Sequence, residues 1–415
     1  MTNPVPPLRF IPFRKHDVIE MCLGRGELDA DAQPQFREFC RLLQSVVHFE
    51  FHALLEALKD SYAGSDPDAD TRRLDNDTHN AVSEARTVEL LADLLNRANY
   101  EKLTRADVEQ ALHESSLFQI RLHVNFDDFS EVLLFCRGAE QREETLRTWW
   151  GLRRRTLRFT NYERVVLYLR FRPDYDPGKA TIPIATRGAV LLKLFQNVPK
   201  ADLEMLFPNT RIRMRNIDKL MIGVPAAVSG SVIVVTKLSA TLVLFGSLLG
   251  FWLGLQAKPV QLDAAALTAL FVGLATLGGF IWRQFNVYKN RKLRFMQSLT
   301  QNLYFKNLDN NAGVFHRLLD EAEEEECKEA ILAYYFLVAR AQALTSAELD
   351  AAIEQWFRER WQCEINFEIE DGLNKLKEVG LVNCNQDRWS AVSLKEAMQR
   401  LDKRWDNYFR FANPE

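Results

Sequence analysis

The feature that most constrains this chain of 415 residues is an apolar block of 63 residues in its middle, residues 220–282. Lys237, Lys258 and Asp263 are the charged residues that interrupt the block. Apolar stretches of 18 or more residues without a charge are typical of helices that cross a membrane. The block therefore predicts a membrane protein.

Two segments of the block are each long enough for one membrane-spanning helix. Residues 238–255 offer 18 positions without a charge, and residues 264–282 offer 19. A helix of that length extends about 27 to 29 Å, against a hydrocarbon core of roughly 30 Å. Lys258 and Pro259 lie between the two segments and suit a short exposed loop. The sequence thus predicts a transmembrane helical hairpin over residues 238–282.

The apolar run before this hairpin, residues 220–236, raises the question of a third span. Lys237 alone separates that run from the first predicted span, and antiparallel helices need a longer connection. We therefore expect residues 216–237 to form an interfacial lead-in segment, with a re-entrant segment as the alternative. Lys237 would then reach the lipid headgroups from the inner end of the first span, and an ion pathway is the alternative for this residue.

Basic residues flank the block on both sides. They are Arg211, Arg213, Arg215 and Lys219 before it, and Arg283, Lys289, Arg291, Lys292 and Arg294 after it. Lys and Arg near membrane ends mark the cytoplasmic side, so the number of crossings should be even. Six cysteines without CxxC spacing agree with a reducing compartment, and the first residues lack the apolar core of a secretory signal. We expect a protein of the bacterial inner membrane with both termini in the cytoplasm.

Small residues recur at every fourth position within the predicted hairpin. The positions are Gly246, Gly250 and Gly254 in the first span and Ala265, Ala269 and Gly273 in the second. Small residues at this spacing let membrane helices approach each other closely. We expect them to pack helices together, and the sequence favours self-association into a homo-oligomer over closure of the hairpin within one chain.

Before the block, helical periodicity gives way to the alternation that is typical of strands. Residues 1–117 predict a helical region, because apolar residues recur at three- and four-residue steps between Phe36 and Leu58. Residues 118–215 predict a strand-rich α+β region, because polar and apolar residues alternate from Phe118 onwards. The two regions together predict an N-terminal α+β cytoplasmic domain.

Arginines interleaved with aromatic residues are concentrated in the strand-rich region, between Arg147 and Arg172. This pattern is compatible with a solvated or internally paired face, with a surface for anionic lipid headgroups, and with a site for single-stranded nucleic acid. The first interpretation is favoured, and nucleic acid is the least favoured. The candidate lipid-binding residues are Arg153, Arg154, Arg155 and Arg158.

After the block, residues 283–327 predict a helical connector, and residues 328–415 predict a winged-helix-like domain. Three helical segments are followed there by a short hairpin and a last helix. The third helix would be the DNA-recognition helix. Acidic residues outnumber basic ones on it, as shown by Glu368, Glu370, Asp371 and Glu378 against Lys375 and Lys377. We therefore expect this domain to contact protein rather than DNA.

Signals for catalysis or metal binding are weak. His48 and His52 are one helical turn apart, but no third ligand accompanies them, so a structural pair is the better interpretation. The acidic run at residues 320–326 is better explained as a helix face, with Arg317 and Lys328 nearby for pairing. The sequence contains no glycine-rich phosphate loop and no nucleophile elbow. We predict no catalytic, cofactor or metal site, and we do not expect an enzyme.

Three runs resemble the signature blocks of an uncharacterised transmembrane family with bacterial, plant and animal mitochondrial members. They are LFQNVPKADLEMLFPNTRIRM (194–214), KLMIGVPAAVSG (219–230) and NLYFKNLDNNAGVFHRLLDEAEEEECKEAILAYYF (302–336). The resemblance implies an integral membrane protein with two spans, and it brings no catalytic residues. Asp309, Asn310, Asn311 and Gly313 mark its most specific block, and their simplest interpretation is a turn with a helix cap.

Two functions follow from these expectations. The favoured one is a membrane-anchored, self-associating interaction or scaffold protein whose cytoplasmic domains assemble beside the lipid bilayer. The alternative is an oligomeric channel or pore, with Lys237 and Thr241 at its mouth or at an interface between copies. The scaffold is preferred because polar residues that could line a path are scarce in the block.

Overall fold

The computed structural model describes residues 7–70, 81–104, 106–107, 121–148, 153–175, 188–209, 211–213, 239–255, 264–340 and 342–409. The chain divides into two compact units. The first unit comprises Met1–Leu117, Asn125–Asn209 and Lys306–Glu415. The second unit comprises Phe118–Val124 and Thr210–Phe305.

The described helices are numbered in chain order. They are α1 (Lys15–Leu23), α2 (Ala32–Tyr62), α3 (Ala81–Arg97), α4 (Ser239–Trp252), α5 (Ala264–Lys306), α6 (Ala312–Arg340), α7 (Ser346–Trp361), α8 (Ile369–Glu378) and α9 (Leu394–Asn407). In α2 the predicted apolar stripe from Phe36 to Leu58 is buried except at Leu54 and Leu55, which are half-buried, and this confirms the amphipathic helix.

The described strands form three antiparallel sheets. They are β1 (Glu101–Lys102), β2 (Arg121–His123), β3 (Phe129–Thr148), β4 (Arg153–Phe171), β5 (Val190–Pro199), β6 (Arg211–Arg213), β7 (Asn307–Asn310), β8 (Val382–Asn385) and β9 (Arg388–Ala391). The largest sheet has the order β1-β3-β4-β5-β7, while β2 pairs with β6 and β8 pairs with β9. The protein is therefore α+β.

Helix α6 is the centre of the first unit. Its residues from Ala330 to Leu337 are buried on every side, as expected for a helix that lies inside a core. Helices α1, α2, α3, α7 and α8 all contact it, and so do β5, β7 and β9. The helices at both ends of the chain thus share one hydrophobic core with the five-stranded sheet.

The C-terminal elements follow the order expected for a winged-helix-like domain. Helix α7 begins with the predicted capping box, in which Thr345 Oγ1 accepts from the Glu348 amide and the Glu348 carboxylate accepts from the Thr345 amide. Helix α8 is followed by Gly380 at a φ of +75°, a conformation that glycine adopts at helix ends without strain. The β8–β9 hairpin and α9 come next.

The predicted transmembrane hairpin is wrong. No helix in the described part of the chain is both long enough and apolar enough to cross a membrane. The first predicted span contains α4, whose 14 described residues make about 21 Å of helix against a hydrocarbon core of roughly 30 Å. The second does not end at Trp282, because α5 continues as one helix of 43 residues into the basic segment that follows the block.

This finding overturns every prediction that depended on a spanning helix. The integral-membrane fold class, the membrane-anchored scaffold, the channel alternative and the inner-membrane location each required the hairpin, and a hairpin needs two spans. Apolar composition alone does not fix where a helix begins and ends, and the described bounds of α4 and α5 differ from those of the predicted spans.

Candidate functional site

The first unit contains a charged cleft of about 1080 Å³. Its lining comes from α2, α3, α6, α8 and α9 and from the segments around Arg9, Tyr100 and Tyr408. The acids that line it are Glu50, Asp93, Glu101, Glu326, Glu329, Glu368, Asp371 and Glu378, and the bases are Arg9, Arg97, Lys102, Lys375 and Arg404. Eight acids against five bases leave the lining acidic in formal charge.

Glu326 and Glu329 of α6 line one wall of the cleft, and glutamates of this helix also hydrogen-bond to neighbouring elements. Successive helix positions are about 100° apart, so neighbouring carboxylates reach different elements. Glu321 accepts from the Tyr100 hydroxyl at 2.7 Å, and Glu326 accepts from Arg97 Nε at 2.5 Å. The acidic run at residues 320–326 lies on one helix, as predicted, and Lys328 pairs with it at Glu325. Glu323 and Glu325 of this run are buried.

A buried ion network beside the cleft fixes the N-terminal segment. Lys328 Nζ lies 2.8 Å from Glu325 Oε1, and Arg137 Nη2 lies 3.0 Å from the same oxygen. Lys328 also donates to the carbonyls of Ile11 and Phe13, and the Ile11 amide donates to Glu325 Oε2 at 3.0 Å. Because each charge has a partner and further hydrogen bonds, the network can persist away from water.

Ion pairs across the cleft join elements from the two ends of the chain. Glu50 on α2 accepts from Lys375 Nζ at 2.5 Å, from Arg404 Nη2 at 2.8 Å and from the Tyr408 hydroxyl at 2.9 Å. Burial opposes ionisation of Glu50, but these donors outweigh it and hold its pKa below the usual value. Arg9 pairs with Glu368 in the same way.

Two carboxyl groups in the cleft have no cationic partner among the described residues. Glu329 is 3% exposed, and its Oε1 accepts one hydrogen bond, from Asn99 Nδ2 at 2.9 Å. Burial, and after it the nearby Glu325, raises the pKa of Glu329 well above its usual value. Asp371 is exposed at the edge of the cleft, and partial burial together with the neighbouring Glu368 raises its pKa. Of the two groups, Glu329 is the one that lies out of water without a cationic partner in the described structure.

The described residues contain no group of three or more His, Cys, Asp or Glu side chains that could hold a metal ion. His48 Nδ1 lies 2.7 Å from Glu323 Oε2, and Lys15 Nζ lies 3.0 Å from the other oxygen of that carboxylate. The partner of His48 is therefore a glutamate of α6, and a structural role for the pair His48 and His52 stays a prediction. His52 is exposed one turn further along α2.

The residues predicted to pack the hairpin lie on or beside α4 and α5 in the second unit. Gly246 and Gly254 are exposed and Gly273 is buried. Gly250 and Thr241 belong to α4, and Ala265 and Ala269 belong to α5. Lys237 and the lead-in segment at residues 216–237 fall outside the residues that the structure describes. A role of these residues in helix packing or at an interface stays a prediction.

The candidate lipid-binding arginines lie on β4. Arg153, Arg154 and Arg155 pair in register with Thr148, Arg147 and Leu146 of β3. Arg158 Nε donates to Glu143 at 2.5 Å, and further along β4 Arg170 lies 2.8 Å from Glu84. Arg164 and Arg172 of the same run pair with Glu321 and Asp174. Internal pairing thus accounts for four arginines of this run, and lipid binding by the four candidates stays a prediction.

The motif residues lie at the junction of β7 and α6: Asp309 and Asn310 end β7, Asn311 is the single connecting residue, and Gly313 lies in the first turn of α6. Asn311 is buried at a φ of +49°, and its amide donates to the Leu192 carbonyl at 2.8 Å. The Tyr62 hydroxyl donates to Asn311 Oδ1 at 3.2 Å. This asparagine therefore ties β5 and α2 to the start of α6 and has a structural role.

The sequence interpretation missed the cleft. A signal was present at Lys328 and Glu329, two charged residues beside the apolar stretch that continues to Leu337. Charged residues inside such a stretch are almost never fully buried unless they are paired or functional. Lys328 proves to be paired, and Glu329 lines the cleft.

Comparison with known proteins gives limited information. No solved structure matches the chain. Residues 162–313 match a family described as a protein of unknown function, DUF3754, and this supports in part the resemblance to an uncharacterised family. The motif at Asp309–Gly313 lies within the matched residues, whereas all residues that line the cleft lie outside them.

Proposed function

We propose that the first unit binds a small organic cation that carries at least two amino or guanidinium groups, and that the charged cleft is its site. The observation that carries the proposal is the excess of carboxyl groups in the lining, two of which, Glu329 and Asp371, make no ion pair in the described part of the chain. A ligand ammonium would supply the positive charge that these groups lack.

The existing ion pairs favour a cation over an anion. Arg9, Arg97, Lys375 and Arg404 each lie within 4 Å of a carboxylate. An anionic ligand would have to break those pairs, and would leave a carboxylate of the cleft without its partner. A cationic ligand can bind without breaking them.

The size and surface of the cleft agree with a flexible, polar ligand. Its volume of about 1080 Å³ is at the upper end of ordinary ligand pockets, which are mostly apolar. The lining here is mainly charged, with Tyr100 and Tyr408 as its aromatic members. Aromatic faces attract ammonium groups, so the two tyrosines suit the same class of ligand.

Calorimetric titration of the full chain with spermidine tests the proposal. We expect binding that weakens as salt is added, because ion pairing drives it. Asp371→Asn should lower the affinity by about fivefold to tenfold, since one charge-assisted contact is lost. Asp387→Asn is the matched control, because Asp387 is exposed in the β8–β9 turn, and its affinity should equal that of the wild type.

Three results would overturn the proposal. They are no binding of spermidine, equal affinities for Asp371→Asn and the wild type, and tighter binding of inorganic phosphate than of spermidine. A short peptide of lysines serves as a second probe. If the peptide binds with higher affinity than spermidine, the natural source of the amines is a basic protein segment rather than a free polyamine.

A further inference from the structure

We infer that Glu329 enters the binding reaction as a neutral acid and releases its proton when a cation occupies the cleft, so that affinity rises with pH. This inference rests on the proposed function and deepens it. It concerns a side chain that the ion-pair network does not use, on the wall where α6 meets α8.

The geometry around Glu329 provides no charge compensation. The side chain lies almost wholly out of water, and the hydrogen bond that its carboxyl makes in the described structure comes from the neutral amide of Asn99. Burial of an unpaired carboxylate raises the free energy of the folded state, and the neutral acid form of Glu329 is therefore favoured. Glu329 also lines the cleft, so a cation bound there would lie next to this side chain.

The charged groups around Glu329 reinforce this state. On α6 they are Glu325 and Glu326, on α8 Asp371 and Lys375, on α3 Arg97, and on β3 Arg137. Arg137 is held by Glu325, and Arg97 by Glu326. Lys375 is shared between Glu50 and Glu326. Each of these cations therefore already pairs with another carboxylate. Burial is the main cause of the raised pKa of Glu329, and Glu325, Asp371 and Glu326 raise it further.

The proton balance of the step is simple. The O–H bond of the Glu329 carboxylic acid breaks, and the proton passes to buffer. The resulting carboxylate accepts an N–H hydrogen bond from an ammonium group of the ligand, which keeps its own charge. One positive charge enters the site and one proton leaves it, so the net charge of the buried region is unchanged.

Calorimetry in two buffers tests the inference. The full chain is titrated with spermidine at one pH, near neutrality, in PIPES and in imidazole, whose ionisation heats differ. Proton release makes the observed heat depend on the buffer, and we expect close to one proton per ligand. The dissociation constant of the wild type should also fall by up to about tenfold per pH unit between pH 5.5 and 7.5.

Two variants assign the proton. Glu329→Gln keeps the shape of the side chain and a carbonyl that can accept from Asn99, and it should bind with no buffer-dependent heat and a flat pH profile. Asp371→Asn should bind more weakly and still release the proton. A full proton release from Glu329→Gln would overturn the inference.

If Glu329→Gln does not fold, the two-buffer titration of the wild type still tests the inference. Spermidine binding with the same heat in both buffers would refute proton release and leave the proposed function intact. Absence of spermidine binding would instead refute the proposed function. The two failures are therefore distinguishable in a single experiment.

Discussion

Gly372 packs directly on the backbone of Glu329: a Cβ added at Gly372 would lie 2.9 Å from the Glu329 carbonyl oxygen. This approach brings α8 onto α6 at the wall of the cleft and places Asp371 beside Glu329. Backbone atoms cannot move away as a flexible side chain can, so glycine is required by the packing at this position.

We expect Gly372→Ala to lower the free energy of unfolding by about 1 to 3 kcal/mol, because the methyl group overpacks the contact between α8 and α6. Urea denaturation measures the change. Asn374→Ala is the control on the same helix, since Asn374 is exposed and alanine is a better helix former there. Equal stability of Gly372→Ala and the wild type would show that the two helices do not pack this closely.

The buried network around Lys328 makes a second prediction. Lys328→Met should cost about 3 to 5 kcal/mol of unfolding free energy, because Glu325 would keep a buried charge with one partner fewer. Lys403→Met, at an exposed position of α9, should stay within about 0.5 kcal/mol of the wild type. Thermal and urea unfolding of both variants give the comparison, and a similar small change in both would contradict a stabilising network.

Local signals in the sequence predicted local structure correctly. The capping box of Thr345 and Glu348 and the apolar stripe of α2 were both identified, because each depends on residues within one or two helical turns. The end of α4 at Trp252 was not identified. Gly254, at a φ of +70° just after the helix, is a typical helix-ending glycine, but the sequence interpretation assigned it to the stripe of small residues.

The cleft could not be predicted in the same way. Glu50 and Arg404 are 354 positions apart in sequence and 2.8 Å apart in space. An ion pair of this kind leaves no periodicity, and either residue alone is typical of a solvated helix face. The acidic run of α6 is visible in the sequence, but which element each of its carboxylates contacts depends on how the surrounding helices pack around α6.

Stability should depend on pH through Glu329. Below the usual pKa of a glutamic acid, both the folded and the unfolded chain hold this proton. As the pH rises above that value, the unfolded chain ionises while the folded chain keeps the proton, because the folded pKa is raised. The unfolded state is therefore favoured with increasing pH, by at most about 1.4 kcal/mol per unit for one group.

We expect Glu329→Gln to match the wild type near pH 4 and to become progressively more stable than the wild type toward pH 7. Urea unfolding at three pH values measures the difference between the two proteins. Glu359→Gln, at an exposed position of α7, is the control and should show a constant difference. A parallel pH dependence of Glu329→Gln and the wild type would mean that Glu329 is ionised in the folded protein.

Alanine substitutions at Gly138 and Gly188 separate two costs in unfolding free energy, that of a left-handed backbone and that of overpacking. Gly138 has a φ of +69°, and an added Cβ would lie 2.9 Å from the Cβ of Glu163. Gly188 has the same φ, but an added Cβ there meets no atom within 4 Å.

Gly188→Ala should therefore cost only the strain of a left-handed residue, about 1 to 2 kcal/mol. Gly138→Ala should cost that amount and about 1 to 3 kcal/mol more for the clash across the β3–β4 pair. Urea denaturation of the two variants gives the difference directly, and equal losses would place the two strands further apart at this position.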